Sequence, residues 1–226
     1  LSRRQRQMCI RDRYGKTEKR SSGTCQQCIC GCPERNQTEL KNYQITQWCH
    51  HFIREQVQPG DFCIDATMGN GNDTQLLSQL AGPKGKVIAF DIQSQALTKT
   101  KERLERVKAP ENYQLYLESH THMADYAAPG TVSCITFNFG YLPGGDHTMC
   151  TQAETSITAI KTGLNLLKKG GILSLCIYSG GDTGFEERDA ILSYLKTLDS
   201  QNYLVIQSEY LNRPNLSLIH ISEPTR

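Results

Sequence analysis

The run Cys63-Ile64-Asp65-Ala66-Thr67-Met68-Gly69-Asn70-Gly71-Asn72-Asp73-Thr74 limits what this chain can fold into more than any other stretch. A short apolar strand ends in an acid, the chain turns tightly through two glycines, and a helix opens on Asn, Asp and Thr, residues with capping chemistry. That pattern is the nucleotide-type loop of an open α/β sheet. A second apolar strand, Val87-Ile88-Ala89-Phe90, ends in Asp91, twenty residues beyond Gly71. At that spacing an open sheet places a carboxylate on ribose hydroxyls. The third glycine of a dinucleotide fingerprint would fall at Thr74. Glycine there permits the close helix–strand packing that surrounds a pyrophosphate. Threonine therefore argues against NAD or FAD and for an adenosine ligand without phosphates, and S-adenosylmethionine fits.

Hydrophobic periodicity extends this unit in both directions. Between Lys41 and Val57, the residues Ile45, Trp48, Phe52, Ile53 and Val57 recur at helical spacing and predict a lead-in helix. Its adjacent His50-His51 cannot share a helix face, and the pair is read as solvated or cap-lining. Ala96, Leu97, Thr100, Leu104 and Val107 predict a helix after Asp91, and Tyr113 to Leu117 a third strand ending at Glu118-Ser119-His120. A fourth strand, Val132 to Phe137, runs into Asn138-Phe139-Gly140-Tyr141-Leu142-Pro143-Gly144-Gly145-Asp146. Thr151-x-x-Glu154 is a capping box, which makes Glu154 a cap, for a helix with Ile157, Ile160, Leu164 and Leu167 on its apolar face. Gly170-Gly171 ends that helix ahead of a strand from Ile172 to Tyr178. Thr183-x-x-Glu186 caps another helix, through Leu198, and Tyr203 to Ile206 is a sixth strand. Strands alternating with helices predict a parallel sheet with right-handed crossovers.

Asn138, followed by Gly, an aromatic residue and Pro at a strand's carboxyl end, resembles the Asn-Pro-Pro-Tyr signature of amine-directed methyltransferases. Asp-Ala-Thr-x-Gly-Asn-Gly-x-Asp-Thr from Asp65, Phe-Asp-Ile-Gln from Phe90, and Asn-x-Gly-Tyr-Leu-Pro-Gly-Gly-Asp from Asn138 together resemble one bacterial family. Catalogued as rRNA methylases, it includes the tRNA 5-(aminomethyl)uridine methyltransferases. The resemblance covers about residues 40 to 215. It implies a Rossmann-like class I methyltransferase sheet with helices on both faces, and S-adenosylmethionine as cofactor. It also implies Asn70, Asn72, Asp91, Gln93, Ser119 and His120 as cofactor contacts, although many relatives carry His where this chain has Asn72.

The residue types suit those roles. Gly69 and Gly71 let the backbone approach the methionine portion, while Asn70 and Asn72 offer amides to its carboxylate and amine. Asp91 accepts from ribose hydroxyls with Gln93 beside it, Ser119-His120 borders the adenine, and Asp65 falls at the same row of strand ends. Methyl transfer from a sulfonium is an in-line displacement that asks mainly for alignment and a neutral nucleophile. The Asn138 oxygen can accept an amine's hydrogens, Tyr141 can pack on a base, and Asp146 or His147 can take the proton that an alkylammonium must lose. The implied reaction converts the 5-aminomethyl to the 5-methylaminomethyl group of 2-thiouridine at a tRNA wobble position, with the anticodon loop as partner. Two alternatives stand beside it: methylation of rRNA or a small-molecule amine, and a nucleotide- or RNA-binding module without catalysis. A homodimer is left open.

The two ends read differently. Back-translation of Gln7 to Arg13 and of Leu216 to Ser222 permits two DNA strings, one containing the reverse complement of the other's core, as in a translated sequencing adapter. Residues 3–13 and 216–226 are therefore set aside, residues 1–39 are read as non-native or disordered, and 40–215 as one domain. The natural last strand is expected to be lost, and the alternation in Leu216 to Ile221 lets that segment take the seventh-strand slot. Without residues 1–13 (five Arg, one Asp) and 216–226 (Glu223, Arg226), the formal charge of +2 becomes −2. Contact with RNA then requires a local patch. Cys49, Cys63, Cys134, Cys150 and Cys176 are scattered singly, which reads as buried thiols in a reduced cytoplasm. Cys25, Cys28, Cys30 and Cys32 lack the paired knuckles of a zinc site, and no metal is expected. No apolar run reaches membrane-spanning length.

Overall fold

The computed structural model describes residues 44–140, 153–178, 184–210 and 213–222. The run of Cys25 to Cys32, the first adapter-like segment, Thr151, Thr183, and the candidates Tyr141, Asp146 and His147 lie outside them. In chain order the elements are α1 (Ile45–Gln56), β1 (Phe62–Asp65), α2 (Asn72–Ala81), β2 (Lys86–Phe90), α3 (Ser94–Arg106) and β3 (Tyr113–Tyr116). A 3-10 turn (His120–Asp125), β4 (Val132–Phe139), α4 (Ala153–Leu166), β5 (Leu167–Tyr178), α5 (Gly184–Leu195), β6 (Leu204–Tyr210) and β7 (Arg213–Ser222) follow.

The strands form one sheet in the order β3-β2-β1-β4-β5-β7-β6. The first five strands pair in parallel, and β7 runs antiparallel to both β5 and β6. Strand order reverses between β1 and β4, so a crevice opens beyond their carboxyl ends. The two-residue period of each strand separates two cores. Ile64, Ile88, Ile135 and Leu173 pack with Ile160 and Leu164 of α4 and Ile191 of α5. Cys63, Val87 and Cys134 pack with Ile53 of α1 and Leu76 and Leu77 of α2. Helices therefore cover both faces, as expected, and Cys49, Cys63, Cys134 and Cys176 are buried free thiols.

One boundary differs from the sequence expectation. Leu167 opens β5 instead of closing the helix, pairing with Val132, and the register shifts before Cys134 meets Ile172. The glycine pair lies within that irregularity. Gly170 has φ 75, and a Cβ on Gly171 would stand 2.8 Å from the Lys168 carbonyl and 3.0 Å from that of Val132. Gly-Gly here marks a bulge inside a strand, not a helix stop. Helix α5 closes at Leu195, ahead of the expected Leu198, and β6 continues to Tyr210.

The sheet is not short of a strand. Leu216 to Ile221 lies within β7, the slot that its alternation allowed, and Ile219 and Ile221 are fully buried. His220 points to the opposite face, 3% exposed, its ring centroid 4.2 Å from that of Phe52. Neither of its ring nitrogens finds a hydrogen-bond partner among the described residues. Burial pushes its pKa down to about 4, so the ring is neutral in the fold. A histidine that protonates more readily when unfolded makes stability fall as pH drops from about 6.5 towards 4. His220→Leu is expected to raise the melting temperature at pH 7 and to weaken the acid-side loss. His120 carries a shift of the same sign, so part of that loss should persist. Melting curves between pH 4 and 8 measure both; parallel curves for the two proteins would show that His220 does not titrate with unfolding.

Candidate active site at the strand ends

The loop after β1 is held by backbone contacts before any side chain acts. Ala66 N donates to Thr136 O at 2.9 Å, Met68 N to Phe90 O at 2.9 Å, and Gly71 N to Met68 O at 2.7 Å. Gly71 sits at the N-cap of α2 with φ 75, and a Cβ there would lie 2.9 Å from the Thr100 Cα. Only glycine meets both demands. From α3, Thr100 Oγ1 donates to Gly69 O at 3.3 Å and Arg103 Nε to Asn70 O at 2.6 Å. The Asn70 side chain is half-buried and Asn72, the first residue of α2, is exposed.

Asp65 is fully buried, and its carboxylate is engaged inside the protein. It accepts from Thr74 Oγ1 at 2.6 Å, Thr67 N at 3.2 Å and Thr136 Oγ1 at 3.3 Å. Burial, and after it the charge of Asp73, pushes its pKa up. The threonine that replaces the third glycine is thus the anchor of α2 to β1. Asp91 lies at the end of β2, half-buried, accepting from Gly69 N at 3.0 Å and Gln93 N at 2.9 Å. Burial raises its pKa against the pull of those amides. At the end of β3, Ser119 Oγ caps the 3-10 turn by accepting from Thr121 N at 3.3 Å. His120 stands edge-on to Phe137 and Phe139, at 6.0 and 6.3 Å between centroids, with Nε2 buried and without a partner among the described residues.

The structure thus brings Asp65, Gly69, Gly71, Asp91 and Asn138 into one connected set at the β1, β2 and β4 ends. Asn138 N donates to Thr67 Oγ1 at 2.7 Å, and its Nδ2 donates to Asp73 Oδ2 at 2.7 Å. Ser119 and His120 close the β3 side. Two exposed apolar side chains follow the ends of β2 and β3. Ile92 is 51% and Leu117 52% exposed, each immediately beyond a strand end that carries a polar candidate. Exposed apolar groups there, together with an orphaned buried imidazole nitrogen, suit a flat heteroaromatic ligand with a hydrogen-bonding edge. An adenosine fits the residues present.

A family model described as "Putative rRNA methylase" matches residues 87–222. The chain belongs to this family. Its fold is that of the class I, S-adenosylmethionine-dependent methyltransferases. A crystal structure of a "putative rRNA-methylase" from Clostridium thermocellum is 37% identical with a TM-score of 0.77, covering 80% of this chain and 98% of the other. A crystal structure of "a putative methyltransferase" from Streptococcus mutans, in complex with SAH, is 39% identical with a TM-score of 0.73 and the same coverage. A tRNA (mnm5s2U34)-methyltransferase of the Arabidopsis thaliana chloroplast is 35% identical over 174 residues, 73% of this chain. The chain spans 64% of the length of that plant relative.

Within the rRNA methylase family fold, Thr100 and Arg103 are further residues that the sequence reading left as parts of an amphipathic helix. Their polar atoms hold the loop from outside. Position relative to the loop, not periodicity, gives them that role. Asp91→Ala should lower affinity for S-adenosylmethionine more than tenfold, about 1.5 to 3 kcal/mol for lost charged hydrogen bonds. Isothermal titration calorimetry measures it, and unchanged affinity would remove Asp91 from the cofactor site.

Proposed function

We propose that this protein is an S-adenosylmethionine-dependent N-methyltransferase that converts 5-aminomethyl-2-thiouridine to 5-methylaminomethyl-2-thiouridine at the tRNA wobble position. The observation that carries the reading is the state of the Asn138 amide. Asn138 is the penultimate residue of β4, and its NH2 group is bound to Asp73, so the amide oxygen, without a hydrogen bond among the described residues, is the end that can accept. An amine nucleophile needs an acceptor for its hydrogens, so that its lone pair points at the methyl donor. The name of the plant relative supports the substrate.

When bound, S-adenosylmethionine supplies a methyl group on a sulfonium, open to in-line displacement. Asp91 and Gln93 would hold its ribose, Ile92, Leu117 and His120 its adenine, and the Gly69–Asn72 backbone and amides its methionine portion. Asn138 orients the amine, and Tyr141 packs on the base. Asp146 or His147 takes the proton that an alkylammonium must lose before attack. A wobble base is already unpaired and can be splayed into a pocket at little unstacking cost, which suits a domain without a large basic field. The free thiols Cys49, Cys63, Cys134 and Cys176 support a cytoplasmic setting, and no helix among the described residues is long and apolar enough to cross a membrane.

Asn138→Ala should keep S-adenosylmethionine affinity within a few fold and lose turnover by about tenfold or more. Wild-type turnover in that variant would make the Asn138 segment a structural loop. Substrate identity is tested by incubating the enzyme with tRNA that carries the aminomethyl group and with tRNA that lacks it, followed by nucleoside mass spectrometry. Methylation of the first alone is expected. Equal incorporation into both, or into neither with intact cofactor binding, would replace this substrate with rRNA or a small amine.

A further inference from the structure

Three buried or half-buried polar side chains from three elements form a chain behind the acceptor. His50 of α1 and Asp73 in the first turn of α2 are each 7% exposed, and His50 Nε2 lies 2.5 Å from Asp73 Oδ1. The other Asp73 oxygen accepts from Asn138 Nδ2 of β4 at 2.7 Å. None of these contacts is legible from the spacing of the residues in the sequence. His51, its neighbour in the pair, is exposed and reaches Glu55 at 3.4 Å, so only one of the two histidines is solvated.

An asparagine amide has the same shape in both flipped orientations, yet the two present opposite chemistry. One offers a carbonyl oxygen to the crevice, the other an NH2. A carboxylate only accepts, so Asp73 bonds stably to the NH2 end alone, and the oxygen must face away. A flipped Asn138 would set its oxygen against the Asp73 oxygen and present a donor where an amine needs an acceptor. Asp73 in turn has to keep one oxygen aimed at β4. A buried carboxylate lacking donors is costly, and His50 supplies the donor to the second oxygen, fixing the plane of the carboxylate.

We propose that Asp73 is a positioning residue for amine methylation, acting through Asn138 by fixing its flip, and that His50 orients Asp73. The inference rests on the reading of Asn138 as the amine acceptor. It assigns the methyl acceptor a chemical requirement: a nitrogen that presents an N–H to a carbonyl oxygen.

The test is a double-mutant cycle on the full chain, with kcat measured at saturating S-adenosylmethionine and aminomethyl-bearing tRNA, and cofactor Kd by calorimetry on the same samples. Asp73→Ala should lower kcat by about tenfold or more, the scale of a lost charged hydrogen bond, with cofactor Kd within about threefold. In the Asn138→Ala background the same change should alter kcat by less than about twofold, because the group through which Asp73 acts is already gone. Equal loss in both backgrounds, or no loss in the first, overturns the inference. Should Asp73→Ala fail to bind cofactor, the His50 pair decides. His50→Leu should lower kcat, and His50→Gln, which keeps an N–H donor, should restore it to within about threefold of wild type. Equal kcat in Leu and Gln variants overturns the inference. Wild-type turnover in Asn138→Ala alone defeats the underlying reading instead.

Discussion

The buried carboxylate of Asp65 is the constraint on which the strand-end architecture rests. Placing an acid at the end of a central strand with no exposed surface is costly, and three donors from three directions offset part of that cost. Thr74 brings the start of α2 onto β1, Thr67 folds the loop back, and Thr136 ties in β4. The Thr67 hydroxyl then accepts from Asn138 N, so the β1–α2 loop and the end of β4 belong to one polar network. The upward push on the Asp65 pKa shows that the three donors do not fully offset desolvation and the neighbouring charge of Asp73.

Much of this frame was legible in the sequence because it depends on local rules. A two-residue strand period, an acid at a strand's end, paired glycines and a capping residue each act within a few positions. They were sufficient to locate β1, α2, β2 and Asp91 and to predict a parallel sheet with helical crossovers; helices on both faces came from the family resemblance. Contacts spanning distant segments were not legible. His50 and Asp73 stand 23 residues apart, and nothing in either helix's period says that they meet across the α1–α2 packing. The reading of Gly170-Gly171 as a helix stop failed for a related reason. Two glycines end a helix or bulge a strand equally well, and the partner strand's register decides between them.

The two histidines with buried, unpartnered ring nitrogens among the described residues differ in kind. His120 lies beyond the end of β3, at the row of strand ends where a ligand can complete its hydrogen bonding. His220 lies in the sheet's second face, packed against Phe52 within the core. Both are pushed to about 4 by burial, so the shift alone does not distinguish them. Their surroundings do. An orphaned group at a ligand crevice is an expectation of binding, whereas one inside a core is an uncompensated cost. The alternation that seats Ile219 and Ile221 in β7 forces His220 inward onto the opposite face, because the strand period leaves it no other side.

The choice of an amide over a carboxylate at position 138 follows from the nucleophile's chemistry on the proposed reading. A carboxylate touching the amine would stabilise its protonated form, the one state that has no lone pair to donate. An amide oxygen accepts the same hydrogens while carrying no net charge, so it directs the amine without favouring the ammonium. The negative charge that orients that amide is held one hydrogen bond further from the substrate, on Asp73, where the amide's own NH2 and His50 take up both oxygens. Charge thus acts on the amide and not on the substrate. An acid moved forward to position 138 would reverse this separation, which is why the network ends in an asparagine at the crevice and in a histidine at its buried end.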